Sequence, residues 1–168
     1  YADLRAAISE KFERENGLHY SADQIVVSNG AKQSIANVMM SLLNEGDEVI
    51  VFSPFWVSYT ALIDLAGGKS VFIKGGIEND FKVTSAQLKE AITDKTKAII
   101  YSSPCNPTGS VFTKEELESL AEVLRDHEEI LVIADEIYEH INYTGAHASM
   151  GAIAGMQDRT VTINGMAK

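Results

Sequence analysis

The chain has 168 residues, of which 45% are apolar, a formal net charge of -10 and a pI near 4.8. This suits one domain, or a large piece of one, with enough apolar surface to bury a core, and the acidic balance disfavours a nucleic-acid partner. The single cysteine, Cys105, excludes a disulfide within the chain and suits a reducing, cytoplasmic setting, and no apolar run reaches the roughly 18 residues of a membrane span.

The first segment reads as a helix. Leu4, Ala7, Ile8 and Phe12 fall at helical spacing, and Asn16-Gly17 is a stop signal. Ile25-Val26-Val27 reads as a short strand ending at Asn29-Gly30, and a helix follows with Ile35, Val38, Met39, Leu42 and Leu43 on one side. Gly46-Asp47 precedes a strand over 49–52, a helix is expected over 57–66, and a strand over 70–73. Thr84 to Gln87 is a capping box that opens a helix through Ile92. A buried strand covers 98–101. Thr113 to Glu116 is a second capping box, and its helix runs to about His127. Strands are expected over 130–133 and 160–163.

Continuous apolar strands alternating with amphipathic helices predict an α/β fold. It has three layers, with a mostly parallel sheet covered by helices on both faces. No internal repeat, low-complexity tract or linker interrupts it. The chain starts at Tyr1 without a methionine and stops at Lys168 just after a strand-like run, so it is expected to be an internal piece of a longer protein.

In such sheets a ligand sits beyond the carboxyl ends of the strands. The residues just after the strands are therefore the candidates. They include Gly30-Ala31-Lys32, Phe55-Trp56, Ser103 to Gly109, Asp135 to Tyr138, and Asn164 to Lys168. Amides at Gly30, Ala31 and Lys32 open a helix and can bind an anion, although an ordinary tight turn has the same sequence. Trp56, the only tryptophan, can stack on a flat ligand or anchor a core. Asn106, between Pro104 and Pro107, is biased toward an extended backbone and offers an amide donor; a rigid turn without ligand is the alternative. Asp135 either caps a turn or faces a ligand, and Tyr138 three residues on shares its side. Glu136 and Glu139 are expected in solvent. Lys168 offers an amine able to react with an aldehyde, or a merely exposed chain-end lysine. His19, His127, His140 and His147 show no metal-ligand spacing, and no metal is expected.

Together these motifs resemble the class I aminotransferase family of fold-type I enzymes dependent on pyridoxal 5'-phosphate. The pattern is nearest that of the aspartate aminotransferase subgroup. The resemblance rests on Ser103-Pro104-Cys105-Asn106-Pro107-Thr108-Gly109, Asp135-Glu136-Ile137-Tyr138-Glu139 and Asn164-Gly165 followed by Lys168. Gly30-Ala31-Lys32-Gln33, Gly46-Asp47-Glu48-Val49 and Pro54-Phe55-Trp56-Val57-Ser58-Tyr59 match as well.

The resemblance implies that residues 1–168 form part of the cofactor-binding large domain, with the small domain outside this chain. It implies Lys168, Asp135 and Tyr138 as catalytic residues. Lys168 would carry the cofactor and move the substrate's α-proton. Asp135 would pair with the ring nitrogen, Asn106 and Tyr138 would bond the phenolic oxygen, and Trp56 would stack on the ring. Gly30, Ala31 and Lys32 would hold the phosphate. Lys32, Trp56 and Asn106 would also meet the substrate, with Lys32 on a side-chain carboxylate. The implied reaction moves an amino group from an L-amino acid, aspartate or similar, to a 2-oxo acid such as 2-oxoglutarate, in a cytoplasmic homodimer.

Three features depart from the pattern. A serine that relatives place near the lysine is absent from Asn164-Gly165-Met166-Ala167. The family's phosphate-binding and substrate-binding arginines would follow Lys168, and a tyrosine contributed across the dimer would precede Tyr1. This stretch alone is therefore expected not to catalyse the reaction. Competing expectations are a β-lyase or cyclopropane-forming synthase on the same fold, an aminotransferase-like ligand-binding domain of a transcription regulator, and a non-enzymatic α/β module.

Overall fold

The computed structural model describes residues 1–166 and 168. Ala167, in the run before the candidate lysine, lies outside the described residues. Five strands form one parallel sheet: β1 (Glu48–Ser53), β2 (Lys69–Lys74), β3 (Thr96–Ser102), β4 (Leu131–Asp135) and β5 (Thr160–Ile163). Their order is β2-β1-β3-β4-β5.

The helices are α1 (Ala2–Lys11), α2 (Ala31–Leu42), α3 (Ser58–Leu65), α4 (Ser85–Ala91) and α5 (Lys114–Arg125). Alternation along each strand sends residues to two separate cores. Ile50, Phe52, Ile99, Tyr101, Val132 and Ala134 meet Leu88 of α4 and Leu117, Leu120 and Leu124 of α5. Val49, Val51, Ala98, Ile100 and Ile133 meet Ile35 and Met39 of α2 and Tyr59 and Ile63 of α3. The expected three layers are present. The chain leaves β1 toward β2 through α3 on one face, and reaches β3 and β4 through α4 and α5 on the other. Opposite directions of travel need opposite faces if both crossovers are right-handed.

The local signals act as their chemistry requires. The Thr84 hydroxyl accepts from the Gln87 amide at 3.3 Å, and Thr113 from Glu116 at 3.2 Å. In return the Gln87 and Glu116 side chains accept from the amides of Thr84 and Thr113 at 2.9 and 2.8 Å. α1 runs on into a single π turn over Phe12–Asn16, closed by Gly17 in the left-handed region.

Ile25–Val27 corrects the sequence expectation. Ile25 is extended and buried, but Val26 and Val27 are exposed and belong to no strand of the sheet. β-branched side chains suit a strand only where a neighbour supplies the ladder, and among the described residues none lies beside this run.

Arg159 ties α5 to the start of β4. Its guanidinium donates to the carbonyls of Leu124 at 2.8 Å and Ile130 at 2.6 Å, and also to that of His127. The Leu124 and His127 carbonyls also accept from the amides of His127 and Ile130, at 2.9 and 3.2 Å, so the guanidinium adds a second, charged donor at this helix end and its exit turn. Arg159→Ala in the full-length protein should lower unfolding stability by about 2 kcal/mol, the scale of lost charged hydrogen bonds to partly buried carbonyls. Chemical denaturation that finds no loss would show that water replaces the guanidinium freely.

Candidate active site

The carboxyl ends of β1, β3, β4 and β5 place the candidate residues on one rim. Alternation along β4 turns Asp135 to the same side as Ile133, toward α3. There it is buried, and the Tyr59 hydroxyl donates to its Oδ2 at 2.5 Å. The Ile137 amide donates to Oδ1 at 3.3 Å. Burial lifts the Asp135 carboxyl above its ordinary range, the two donors oppose that rise, and neighbouring Glu136 adds to it. Tyr59 is fully buried. Its phenol is pushed far above its ordinary value, by burial first and then by the charge of Asp135 and the bond to it, and so it stays a neutral donor.

Trp56 lies one turn before Tyr59 and meets it edge-on, with ring centroids 5.7 Å apart. Lys32 Nζ sits 4.9 Å from the Trp56 ring centroid, a cation–π distance. Thus Lys32, Trp56, Tyr59 and Asp135 form one continuous set. The loop after β3 joins it from the side. Cys105 Sγ contacts the Pro54 carbonyl at 3.4 Å, which ties the Asn106 loop to the Trp56 loop. Asn106 itself lies in a tight turn closed by the Gly109 amide on the Cys105 carbonyl at 2.7 Å.

Gly30 caps α2 with φ +86°, a left-handed conformation that favours glycine. No side chain caps this helix, so its first amides, at Ala31 and Lys32, point outward from the helix start. On the opposite side, Lys168 Nζ lies 5.8 Å from the Tyr138 ring centroid. Gly165 lets this loop approach the Asp135 turn closely, since a Cβ there would meet Ile137 Cδ1 at 2.8 Å. Asn164 Oδ1 accepts from the Gly165 amide at 2.7 Å, while its buried Nδ2, near the Glu139 carboxylate, lies outside hydrogen-bond geometry.

Glu136 and Glu139 correct the expectation that they face water, since both are buried. Glu136 accepts from Ser149 Oγ at 2.7 Å and pairs with His147 Nε2 at 2.9 Å. Glu139 pairs with Lys11 and accepts from Asn16 Nδ2 at 2.6 Å. Those partners come from α1 and the turn after it, more than a hundred residues away, so no local pattern announces the burial. Glu136, Glu139 and His147 could bring one ligand atom each within 4.8 Å. The Lys11 ammonium already occupies that surrounding, and we assign no metal to it. Sequence reasoning also missed Tyr59. Its available signal was its place three residues after Trp56, across the turn that enters α3. A groove of about 780 Å³, lined by Lys82, Ser110, Phe112, His147 and Ser149 among others, shares none of Lys32, Trp56, Asp135, Tyr138 and Lys168.

These features define an α/β protein whose strand ends carry a buried carboxyl group, a phenol, an indole, an uncapped helix start and an amine. The sequence matches the family described as aminotransferase class I and II over residues 1–168, and the chain belongs to that family. It is 46% identical to an aspartate aminotransferase of Bacillus subtilis over 99% of its length and 43% of the relative's. The structure of an aspartate aminotransferase from Rhizobium meliloti superposes with a TM-score of 0.97 at 39% identity, covering 99% of this chain and 42% of that one. An aspartate aminotransferase from Thermus thermophilus, solved with maleate, gives 0.95 at 44% identity, covering 99% and 43%. The chain thus spans about two-fifths of the length of these relatives. Among the described residues no helix is long and apolar enough to cross a membrane.

Glu139 makes the arrangement sensitive to acid. Burial raises its carboxyl, but the bonds from Asn16 and Lys11 and the Lys11 charge outweigh this and hold it below its ordinary 4.5. A depressed folded value contributes stability above the unfolded value and loses it as pH falls through the folded one. The stability gap between wild type and Glu139→Gln in the full-length protein should therefore narrow as pH drops below about 4.5. Urea titrations that show a constant gap across that range would overturn the assignment.

Proposed function

We propose that this chain is part of the large domain of an aminotransferase dependent on pyridoxal 5'-phosphate. The small domain lies outside the chain, and the parent protein acts as a cytoplasmic homodimer. The observation that carries the reading is the buried Asp135 carboxylate, set at a strand end on the same rim as Tyr138 and Lys168. The donor set fits the cofactor. Asp135 supplies a carboxylate for the ring nitrogen, and the uncapped start of α2 supplies the Ala31 and Lys32 amides for the phosphate, with Gly30, whose own amide donates to the Ser28 carbonyl at 2.9 Å, shaping the turn. Asn106 and Tyr138 offer donors for the phenolic oxygen, and Trp56 offers a flat face. The family membership and the names of the relatives support the same chemistry, and no observation favours a lyase or a regulator.

When bound, the cofactor supplies an electron sink for the carbanion left at the substrate's α-carbon. The protein supplies the rest. Lys168 would carry the cofactor through Nζ, and the same atom would serve as the base that takes and returns the substrate α-proton. Asp135, as a carboxylate, would pair with the ring nitrogen and keep its proton there, which would favour charge drawn from the α-carbon. Lys32 offers an ammonium for a side-chain carboxylate, which suits aspartate as donor and 2-oxoglutarate as acceptor.

Borohydride reduction of the full-length protein with pyridoxal 5'-phosphate, followed by peptide mapping, should place the label on Lys168. A label on Lys32 or another lysine would remove the basis of the reading.

Lys32→Ala should lower kcat/KM for aspartate at least about tenfold more than for an apolar amino acid. Equal losses for both substrates would assign Lys32 to the phosphate or to the Trp56 contact instead.

A further inference from the structure

Asp135 can serve a ring nitrogen only if it is ionised and fixed in direction, and its surroundings work against the first condition. It is buried, and Glu136 follows it directly with a second buried carboxylate. Burial is the largest influence on the Asp135 carboxyl and favours the neutral form. No cationic side chain forms an ion pair with it among the described residues. What it receives are two neutral donors, the Ile137 amide at 3.3 Å and the Tyr59 hydroxyl at 2.5 Å. The second bond is the shorter, and charge-assisted bonds of this length are the stronger kind.

Tyr59 is itself held rigidly. It is fully buried in α3 and touches Trp56 edge-on at 5.7 Å between centroids. It also stacks on Phe55 at 6.4 Å. Its ring therefore has fixed walls, and its hydroxyl has one ionic acceptor.

We propose that Tyr59 is a positioning residue, whose buried phenol holds the Asp135 carboxylate ionised and in one orientation. This rests on the rim being a cofactor site, where that carboxylate meets a protonated ring nitrogen. The step moves no proton: the phenol keeps its hydrogen and donates it to Oδ2. The Tyr59 amide donates to the Trp56 carbonyl at 3.0 Å in the turn that enters α3, so the residue that would stack on the ring and the residue that orients its counter-ion are placed by the same turn. The ionisable groups facing the pair are Glu136 on the β4 exit and Cys105 from the loop after β3.

The test uses the full-length protein without cofactor, so that it does not depend on catalysis. Carboxyl-carbon NMR follows the titration of Asp135, assigned by its disappearance in Asp135→Asn. Tyr59→Phe removes one oxygen and leaves the ring in place. It should raise the Asp135 midpoint by about one pH unit, since the lost bond favoured the charged form. Incorporation of 3-fluorotyrosine at position 59 gives a more acidic donor and should shift the midpoint the other way; this decides the matter if Tyr59→Phe does not fold. A midpoint that moves in neither variant overturns the proposal. A midpoint that moves as expected, in a protein that takes no pyridoxal 5'-phosphate at Lys168, upholds the role of Tyr59 and overturns the functional reading.

Discussion

A carboxylate at the end of a central strand, shielded from water, is the constraint around which this rim is organised. Asp135 closes β4, which lies between β3 and β5. Its backbone belongs to the sheet: its carbonyl accepts from the Ser103 amide at 3.1 Å, and its register partner on β5 is Ile163. The backbone position of the carboxylate is therefore fixed, and its side chain is held by the Tyr59 and Ile137 bonds. Its charge must be stabilised where it stands, and Tyr59 and the Ile137 amide do so. An unpaired ion in such a place would cost several kcal/mol, and hydrogen bonds to a charged group, at roughly 1.5–3 kcal/mol each, offset much of that cost and leave a remainder. A cationic partner on the rim would close that gap, which is a physical reason to expect one.

The second carboxylate sharpens the problem. Glu136 is the next residue and is wholly buried. Like charges on adjacent side chains repel, and Glu136 adds to the rise of the Asp135 carboxyl. Strand alternation eases this by sending the two side chains to opposite sides, Asp135 toward Tyr59 and Glu136 toward His147 and Ser149. Glu139 then uses a third direction, toward Lys11 and Asn16. Each acid thus has its own partners from a different part of the chain: α3, the segment before β5, and the first helix with its π turn. The short stretch after β4 is a junction that pins three remote segments to the rim.

This arrangement explains what could be read in the sequence and what could not. The five paired strands were legible because buried parallel strands are continuous apolar runs, and α4 and α5 because Thr84-Gln87 and Thr113-Glu116 are local signals with local partners. The rim positions followed from the strand ends. Ile25–Val27 misled because its β-branched composition says nothing about whether a neighbour is present. Glu136 and Glu139 misled because charge predicts exposure unless a partner exists, and their partners are 11 to 128 residues distant. Tyr59 was visible as part of a motif, but its role depends on a side chain 76 residues away.

The strand order also fixes where a ligand can sit. From β1 the chain moves outward to β2 through α3 on one face, and from β3 it moves the opposite way through α5 on the other. The loops leaving β1 and β3 therefore part from one another, and this switch in direction is where sheets of this kind form a crevice for a ligand. Trp56 stands on one of those loops and Asn106 on the other, and the Cys105 contact to the Pro54 carbonyl ties their bases together. Asp135 is on the strand next to β3, reached from α3 by Tyr59. A flat ligand lying in the crevice would have the Trp56 loop against one face and the carboxylate toward its edge. Neither the indole nor the acid specifies that placement alone; it follows from the reversal of strand order between β1 and β3, with Tyr59 linking the two sides.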